Sequence, residues 1–178
     1  IFRDLSRRAD MVETTRDLSL LADACIKAVL DFHYRANLER LGQPVGSSGN
    51  IQQMCVLALG KLGANELNVS SDIDLVFIYG EAGMVDGESG ISNQEFFVRT
   101  SQQIIKSLDT TLPSGFVFRV DMRLRPYGDS GAIILNRVAM EKYFVEQGRD
   151  WERYAFIKAR ACAGDIDIGE SFLSWLQP

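Results

Sequence analysis

The chain is 178 residues long, 46% apolar, and carries a formal charge of −5 with acidic and basic residues interspersed. That length fits one domain, or one compact core with a helical extension, and the acidic balance excludes bulk nucleic-acid affinity, which depends on a basic surface that neutralises phosphates. No apolar run approaches the roughly 20 residues of a membrane span and no signal peptide is visible, so neither a nucleic acid nor a membrane is an expected partner.

The sequence opens at Ile1 in a helical pattern and stops at Pro178 after an amphipathic segment, as a piece of a longer protein would. Cys25, Cys55 and Cys162 are odd in number and far apart, which predicts buried free thiols in a reducing, cytoplasmic setting. His33 is the single histidine, so a His/Cys zinc cluster is unavailable. It falls inside a helical pattern and is expected to be a surface or partly satisfied residue.

From residue 4 to 41 the apolar positions Leu18, Leu21, Ala22, Cys25, Val29, Leu38 and Leu41 recur at helical spacing, and Gly42, Pro44, Gly46 and Gly49 then mark a loop. Residues 54–59 are apolar on both faces, as in a buried central strand. Residues 60–71 form a loop with a short turn, 72–79 a second strand with Ile73, Leu75 and Phe77 facing one way, and 80–90 a polar, glycine-rich loop. Ser92-Asn93-Gln94-Glu95 is a capping box, and the helix it starts presents Phe96, Phe97, Ile104, Ile105 and Leu108.

After a turn at Pro113-Ser114-Gly115, residues 116–125 alternate. Phe116, Phe118, Val120, Met122 and Leu124 point to one side; Val117, Arg119, Asp121, Arg123 and Arg125 point to the other. A loop spans 126–131, Asn136 caps a helix to about 147 that Gly148 ends, and Asp150 caps another over 151–162. The order is helix, strand, strand, helix, strand, helix, helix. That predicts an α+β fold, a small mixed sheet packed against helices, and not a doubly wound dinucleotide fold. The expected division is a helical extension at 1–45, a core at 50–163, and the start of a following helical region at 164–178.

Asp72 and Asp74 lie two apart on a strand, so both carboxylates emerge on one face, at the entry of the strand. Two carboxylates this close repel, and their pairing points to a cation; hard oxygen donors suit Mg2+ or Mn2+. The plainer alternative is a turn aspartate beside a solvated one. Ahead of them stand Gly60 and Lys61, then Ser70 and Ser71: glycine admits close backbone approach to a phosphate, while lysine and serine supply charge and donors. The spacing is not that of a P-loop. Asp121 shares its face with Arg119, Arg123 and Arg125, four charges that either meet solvent or line a polar cavity. In 151–160, Glu152, Arg153, Lys158 and Arg160 interrupt an otherwise apolar pattern, as a site or as a snorkelling, salt-bridged face.

Gly60, eleven residues, then Asp72-Ile73-Asp74 resembles the G-x11-D-x-D pattern of polymerase-beta-like nucleotidyltransferases. The longer string Gly60-Lys61-Leu62-Gly63-Ala64-Asn65-Glu66-Leu67-Asn68-Val69-Ser70-Ser71-Asp72-Ile73-Asp74-Leu75 is more specific. Together with Val120-Asp121-Met122-Arg123-Leu124-Arg125-Pro126 it resembles the bifunctional glutamine synthetase adenylyltransferase family, over nearly the whole chain. Superfamily members often have serine after the first glycine; Lys61 departs from that and suits the narrower family. Gln147-Gly148-Arg149-Asp150-Trp151-Glu152-Arg153-Tyr154 looks like the amino-terminal of that family's two similar domains, the adenylyl-removing one.

The resemblance implies a polymerase-beta-like fold and a phosphorolysis. Inorganic phosphate attacks the AMP phosphorus, the tyrosine oxygen of glutamine synthetase leaves, and ADP results. It implies Asp72, Asp74 and Asp121 as catalytic residues and metal ligands for Mg2+ or Mn2+. Gly60, Lys61, Ser70, Ser71, Arg123, Arg125, Lys158 and Arg160 are the candidate phosphate- and nucleotide-binding residues. Glutamine synthetase, phosphate, AMP, ADP or ATP, and a nitrogen-signalling regulatory protein are the implied partners. The alternatives are ATP-dependent adenylylation of the synthetase and, from a different class, a non-catalytic nucleotide-binding regulatory module.

Overall fold

Two segments buried on both sides, Met54–Ala58 and, apart from the half-buried Asp74, Ile73–Tyr79, lie side by side in a five-stranded sheet. The structure is a computed structural model that describes residues 4, 6–87, 90–113 and 115–177. Helix α1 (Met11–Leu41) begins where the Asp10 side chain accepts from the Glu13 amide. The expected helix from residue 4 is therefore interrupted: 6–9 turn and bend, with Arg7 at φ 56. Residue 5 of that helix, residues 1–3 of the expected 1–45 extension, Glu88 and Ser89 of the glycine-rich loop, Ser114 of the predicted turn and Pro178 of the expected 164–178 region lie outside the described residues.

Strand β1 (Gln43–Gly46) pairs antiparallel with β4 (Gly83–Asp86), a two-stranded sheet where loops were expected. Between them come β2 (Met54–Ala58), α2 (Gly60–Gly63) and β3 (Ile73–Tyr79). Helix α3 (Asn93–Asp109) carries the expected capping box: the Ser92 hydroxyl accepts from the Glu95 amide while Glu95 accepts from Ser92. Then follow β5 (Val120–Asp121), β6 (Ile134–Asn136), α4 (Arg137–Glu146, capped by the Asn136 side chain), α5 (Asp150–Ala155), β7 (Arg160–Gly164) and α6 (Ile166–Leu176). The sheet order is β5-β3-β2-β7, and β6 continues the β5 edge of β3. Strand β3 runs antiparallel to β2 and parallel to β5 and β6, so the sheet is mixed and the fold α+β. No described helix is long and apolar enough to cross a membrane.

Alternation along β2 and β3 divides the core. Met54, Val56, Ala58, Ile73, Leu75, Phe77 and Tyr79 pack with α1 and α3 through Ala22, Ile26, Leu30, Phe96, Phe97 and Ile104. Cys55, Leu57, Val76 and Ile78 pack with α4 and α6 through Met140, Phe144, Phe172 and Leu173. His33 joins α1 to α3 by a 2.8 Å hydrogen bond with Ser107 Oγ, the partly satisfied residue expected. The three cysteines are free thiols; burial pushes the Cys55 thiol far up and that of Cys162 up to about 12.

Two expected elements are corrected. The strand over 116–125 shrinks to Val120–Asp121. The Val117 and Phe118 amides both donate to the Leu108 carbonyl, which ties that stretch to the end of α3. Beyond Asp121 the Arg123 amide turns back to Asp121 Oδ1 and the Arg125 amide to the Met122 carbonyl. The alternation thus sorts side chains without a strand partner. The helix over 151–162 stops at Ala155, and 160–164 becomes β7, antiparallel to β2. Strand β2 is buried throughout, and its second edge needs a partner for its backbone N–H and C=O groups. Local helix preference yields to that need. The register shifts at Val56/Leu57, whose partners are Ala163 and Ala161, leaving Cys162 as the extra residue of a bulge.

Candidate active site

Asp74 stands directly opposite Asp121 in the parallel β3–β5 register. Neighbouring strands run about 4.8 Å apart and paired residues project from the same face, so the two carboxylates emerge side by side. The pairing is held from both edges: the Ile73 amide donates to the Arg119 carbonyl, and the Leu59 amide donates to the Asp74 carbonyl, each at 2.9 Å. Asp74 precedes Val76 and Ile78 on the same face, so the acidic pair sits at the end of the core that α4 and α6 cover. Asp72 lies exposed just before the strand.

Gly60 closes the other side. It adopts φ 55, and a Cβ there would stand 2.5 Å from Asp74 Oδ2. Only glycine lets the backbone come this near the carboxylate in that conformation. Gly60→Ala is expected to cost about 1–2 kcal/mol from the left-handed backbone alone and to displace the Asp74 carboxylate. Denaturant melts and turnover together check this; a variant as stable and as active as the parent would contradict it.

Among the described residues the Asp74 carboxylate has no hydrogen-bond or ion-pair partner. Burial pushes its pKa above the usual carboxylate range, and the charges of Asp121 and Asp72 push it further, against a smaller pull from Arg123 and Lys61. Asp121 behaves oppositely, because hydrogen bonds from Arg123 hold it below that range. Asp72 pairs with Arg119 Nε at 2.5 Å, and Arg119 also donates to the Ser70 carbonyl at 2.6 Å. No cage of three acidic, histidine or cysteine side chains is assembled among the described residues; arginines engage two of the three carboxylates. An unpartnered carboxylate pressed by two others is a donor set suited to a hard divalent cation.

The remaining candidates fall into two groups. Lys61 Nζ meets Ser71 Oγ at 3.2 Å, and Ser71 donates to Asn68 Oδ1, so Lys61, Ser70 and Ser71 form a rim beside Asp72. Lys158 instead pairs with Glu66 at 3.1 Å, and Arg160 with Asp23 at 2.8 Å and the Leu62 carbonyl at 3.1 Å. Lys158 braces the segment that follows α2, while Arg160 ties α2 itself to α1. The Arg125 guanidinium donates to the Met122 carbonyl at 2.7 Å and lies 3.6 Å from Asp129, holding the loop after Asp121.

Alternation puts Arg119 on the face of Asp121 without a role; the signal for one is a basic residue two positions before Asp121, and it is taken up by Asp72 and the Ser70 carbonyl. The 147–154 string forms a corner around the buried Glu152, which accepts from Tyr143 Oη at 2.5 Å and from the Arg149 amide at 2.7 Å. Tyr143 in turn packs edge-on against Tyr127, ring centroids 4.6 Å apart, which ties this corner to the loop after Asp121.

The family model for glutamate-ammonia ligase adenylyltransferase matches residues 1–175, and the chain belongs to that family. It is 56% identical over 179 residues to the bifunctional glutamine synthetase adenylyltransferase/adenylyl-removing enzyme of Hahella chejuensis, covering 100% of this chain and 19% of that protein. To the protein of the same name in Pseudomonas aeruginosa it is 55% identical over 180 residues, covering 100% of this chain and 18% of that protein. Its counterpart in Acinetobacter baylyi is 47% identical over 178 residues, with 100% and 19% covered. The chain thus spans about a fifth of the length of the curated relatives it matches.

Proposed function

We propose that the chain is a catalytic nucleotidyltransferase unit of polymerase-beta-like type that removes AMP from the adenylylated tyrosine of glutamine synthetase by phosphorolysis. An oxygen of inorganic phosphate forms a bond to the AMP phosphorus, the bond from phosphorus to the tyrosine oxygen breaks, and ADP and unmodified synthetase result. The observation that carries this reading is the Asp74–Asp121 register beside Asp72, with Gly60 pressed against Asp74.

Asp72, Asp74 and Asp121 would hold Mg2+, with Mn2+ as substitute. When bound, such a cation supplies positive charge to the attacking and leaving phosphoryl oxygens. The protein's own groups position the reactants. The backbone at Gly60 and the Lys61–Ser70–Ser71 rim receive phosphoryl oxygens, and Arg123 contributes a guanidinium fork suited to phosphate. Arg125 keeps the loop that carries Arg123 in place, while Lys158 and Arg160 support the nucleotide side through the 62–66 segment. No general base is needed, because phosphate is already a competent nucleophile.

The direction of the reaction rests on the resemblance of the 147–154 string to the adenylyl-removing domain. A second reading, ATP-dependent adenylylation, is favoured by the double name of the relatives. A non-catalytic nucleotide-binding module is disfavoured by the survival of all three aspartates. The parent protein would work in the cytoplasm, where free thiols persist, and would answer to a nitrogen-signalling regulatory protein.

The test is to incubate the protein with adenylylated glutamine synthetase and Mg2+, with and without phosphate. ADP that forms only when phosphate is supplied is the expected result. Labelling of unmodified synthetase from ATP, with no phosphate-dependent release, would establish the second reading. Neither activity in a folded protein that binds nucleotide would leave the regulatory module.

A further inference from the structure

Asp121 is a poor metal ligand as long as Arg123 holds it. Arg123 Nε lies 3.1 Å from Oδ1 and 2.9 Å from Oδ2, and Nη2 lies 2.5 Å from Oδ2, so both carboxylate oxygens are engaged. The Asp121 side chain is only 14% exposed while that of Arg123 is 73% exposed. The guanidinium therefore covers the carboxylate from the solvent side. Any cation that takes Asp121 as a ligand has to displace it.

The three arginines of this face are not equally free to move. Arg125 is 12% exposed and is anchored on the Met122 carbonyl. Arg119 bridges Asp72 and the Ser70 carbonyl, so its departure would break a link between two segments. Among the described residues, every hydrogen bond of the Arg123 side chain ends on Asp121. Its departure orphans no other described group, and the Arg123 amide, 2.8 Å from Asp121 Oδ1, continues to hold the carboxylate in place. A released guanidinium two residues from Asp121 remains within side-chain reach of a phosphoryl group bound there, and its planar fork matches phosphate as well as it matches a carboxylate.

We propose that Arg123 is an exchangeable counter-ion: a divalent cation and Arg123 compete for Asp121, and the cation that wins frees Arg123 to bind the phosphate nucleophile. This rests on the metal site and phosphorolysis read above, and it adds an order to them, cation before phosphate. Because binding linkage is reciprocal, phosphate also tightens the cation. The device keeps Asp121 neutralised until the cation arrives and turns cation binding into the creation of the phosphate site.

The test uses the whole chain, with Mn2+ alone as first probe and inorganic phosphate as second. Mn2+ binding is measured from the spin-resonance signal of the free ion, with and without phosphate. In the parent, phosphate should tighten Mn2+ on the order of tenfold, within the usual range of such couplings. Arg123→Gln removes the competitor, so Mn2+ in phosphate-free buffer should bind on the order of tenfold more tightly and the effect of phosphate should collapse. Arg123→Lys, which keeps the charge but loses the fork, should fall between.

A merely structural role predicts the opposite sign, weaker Mn2+ binding in Arg123→Gln through a loosened loop. Unchanged or weaker Mn2+ binding in that variant overturns the exchange. Asp74→Asn separates this from the reading beneath it. If Mn2+ binding survives that substitution, the metal site itself is wrong and the exchange falls with it. If Asp74→Asn abolishes binding while Arg123→Gln does not tighten it, only the exchange is lost.

Discussion

Asp74→Asn should abolish turnover and at the same time raise the melting temperature of the metal-free protein at neutral pH. Losing an outer partner of a metal site typically costs about 10–100-fold, and loss of a ligand charge should exceed that. The stability gain follows from the same crowding. Asp74 has its pKa raised by burial and by the charges of Asp121 and Asp72. For a carboxylic acid this means that the folded state prefers the protonated form, so its contribution opposes folding above its raised pKa and disappears below the ordinary range near ~3.9. The variant's advantage should therefore be full at neutral pH and vanish in acid. Asp72→Asn should lose turnover likewise, but without the same stability gain, because it forfeits the Arg119 pair. Activity with Mg2+ near that of the parent in either variant would sink the assignment, and thermal melts at two pH values check the rest.

The parts of this site that were legible in the sequence are those that short-range physics determines. The acidic pair needs only the period of two along a strand, and the capping box of α3 and the Asn136 cap of α4 need only four consecutive residues. What stayed illegible depends on partners far away in the chain. Strands β1 and β4 are four residues each and pair across about forty intervening positions, so neither segment signals the other. The 116–125 stretch alternates cleanly, yet only Val120 and Asp121 find β3, because the amides before them are taken by Leu108 and those after them turn inward. In 151–162 the helical pattern is real up to Ala155, but the open edge of β2 claims Arg160 to Gly164. The same redirection moves Arg160 from a helix face to a strand, where it meets Asp23 and the Leu62 carbonyl. The Arg123–Asp121 pair illustrates a further limit: alternation places both residues on one face without saying that they bind each other.

Phe172→Ala should be the most destabilising of the simple core truncations on the α6 side, at about 3–5 kcal/mol. The side chain is fully buried and lies at the centre of an aromatic cluster, with ring centroids 6.2 Å from Phe144, 6.2 Å from Phe156 and 6.0 Å from Trp175. It joins α6 to α4 and to the segment after α5, over the sheet face built by Cys55, Leu57, Val76 and Ile78. Removing the ring loses its transfer free energy and leaves a cavity that three other rings cannot readily fill. For a chain of this size each kcal/mol corresponds to roughly 2–4 °C, so a fall in melting temperature of about 6–20 °C is expected. Trp175→Ala is the internal comparison: its side chain is partly exposed, so it should cost distinctly less. Turnover at low temperature, where Phe172→Ala remains folded, should stay close to that of the parent, since Asp74 and Asp121 are held by backbone pairing between β2, β3 and β5. A cost below about 1 kcal/mol would show that α6 is a peripheral helix and that the second core face is closed by something else.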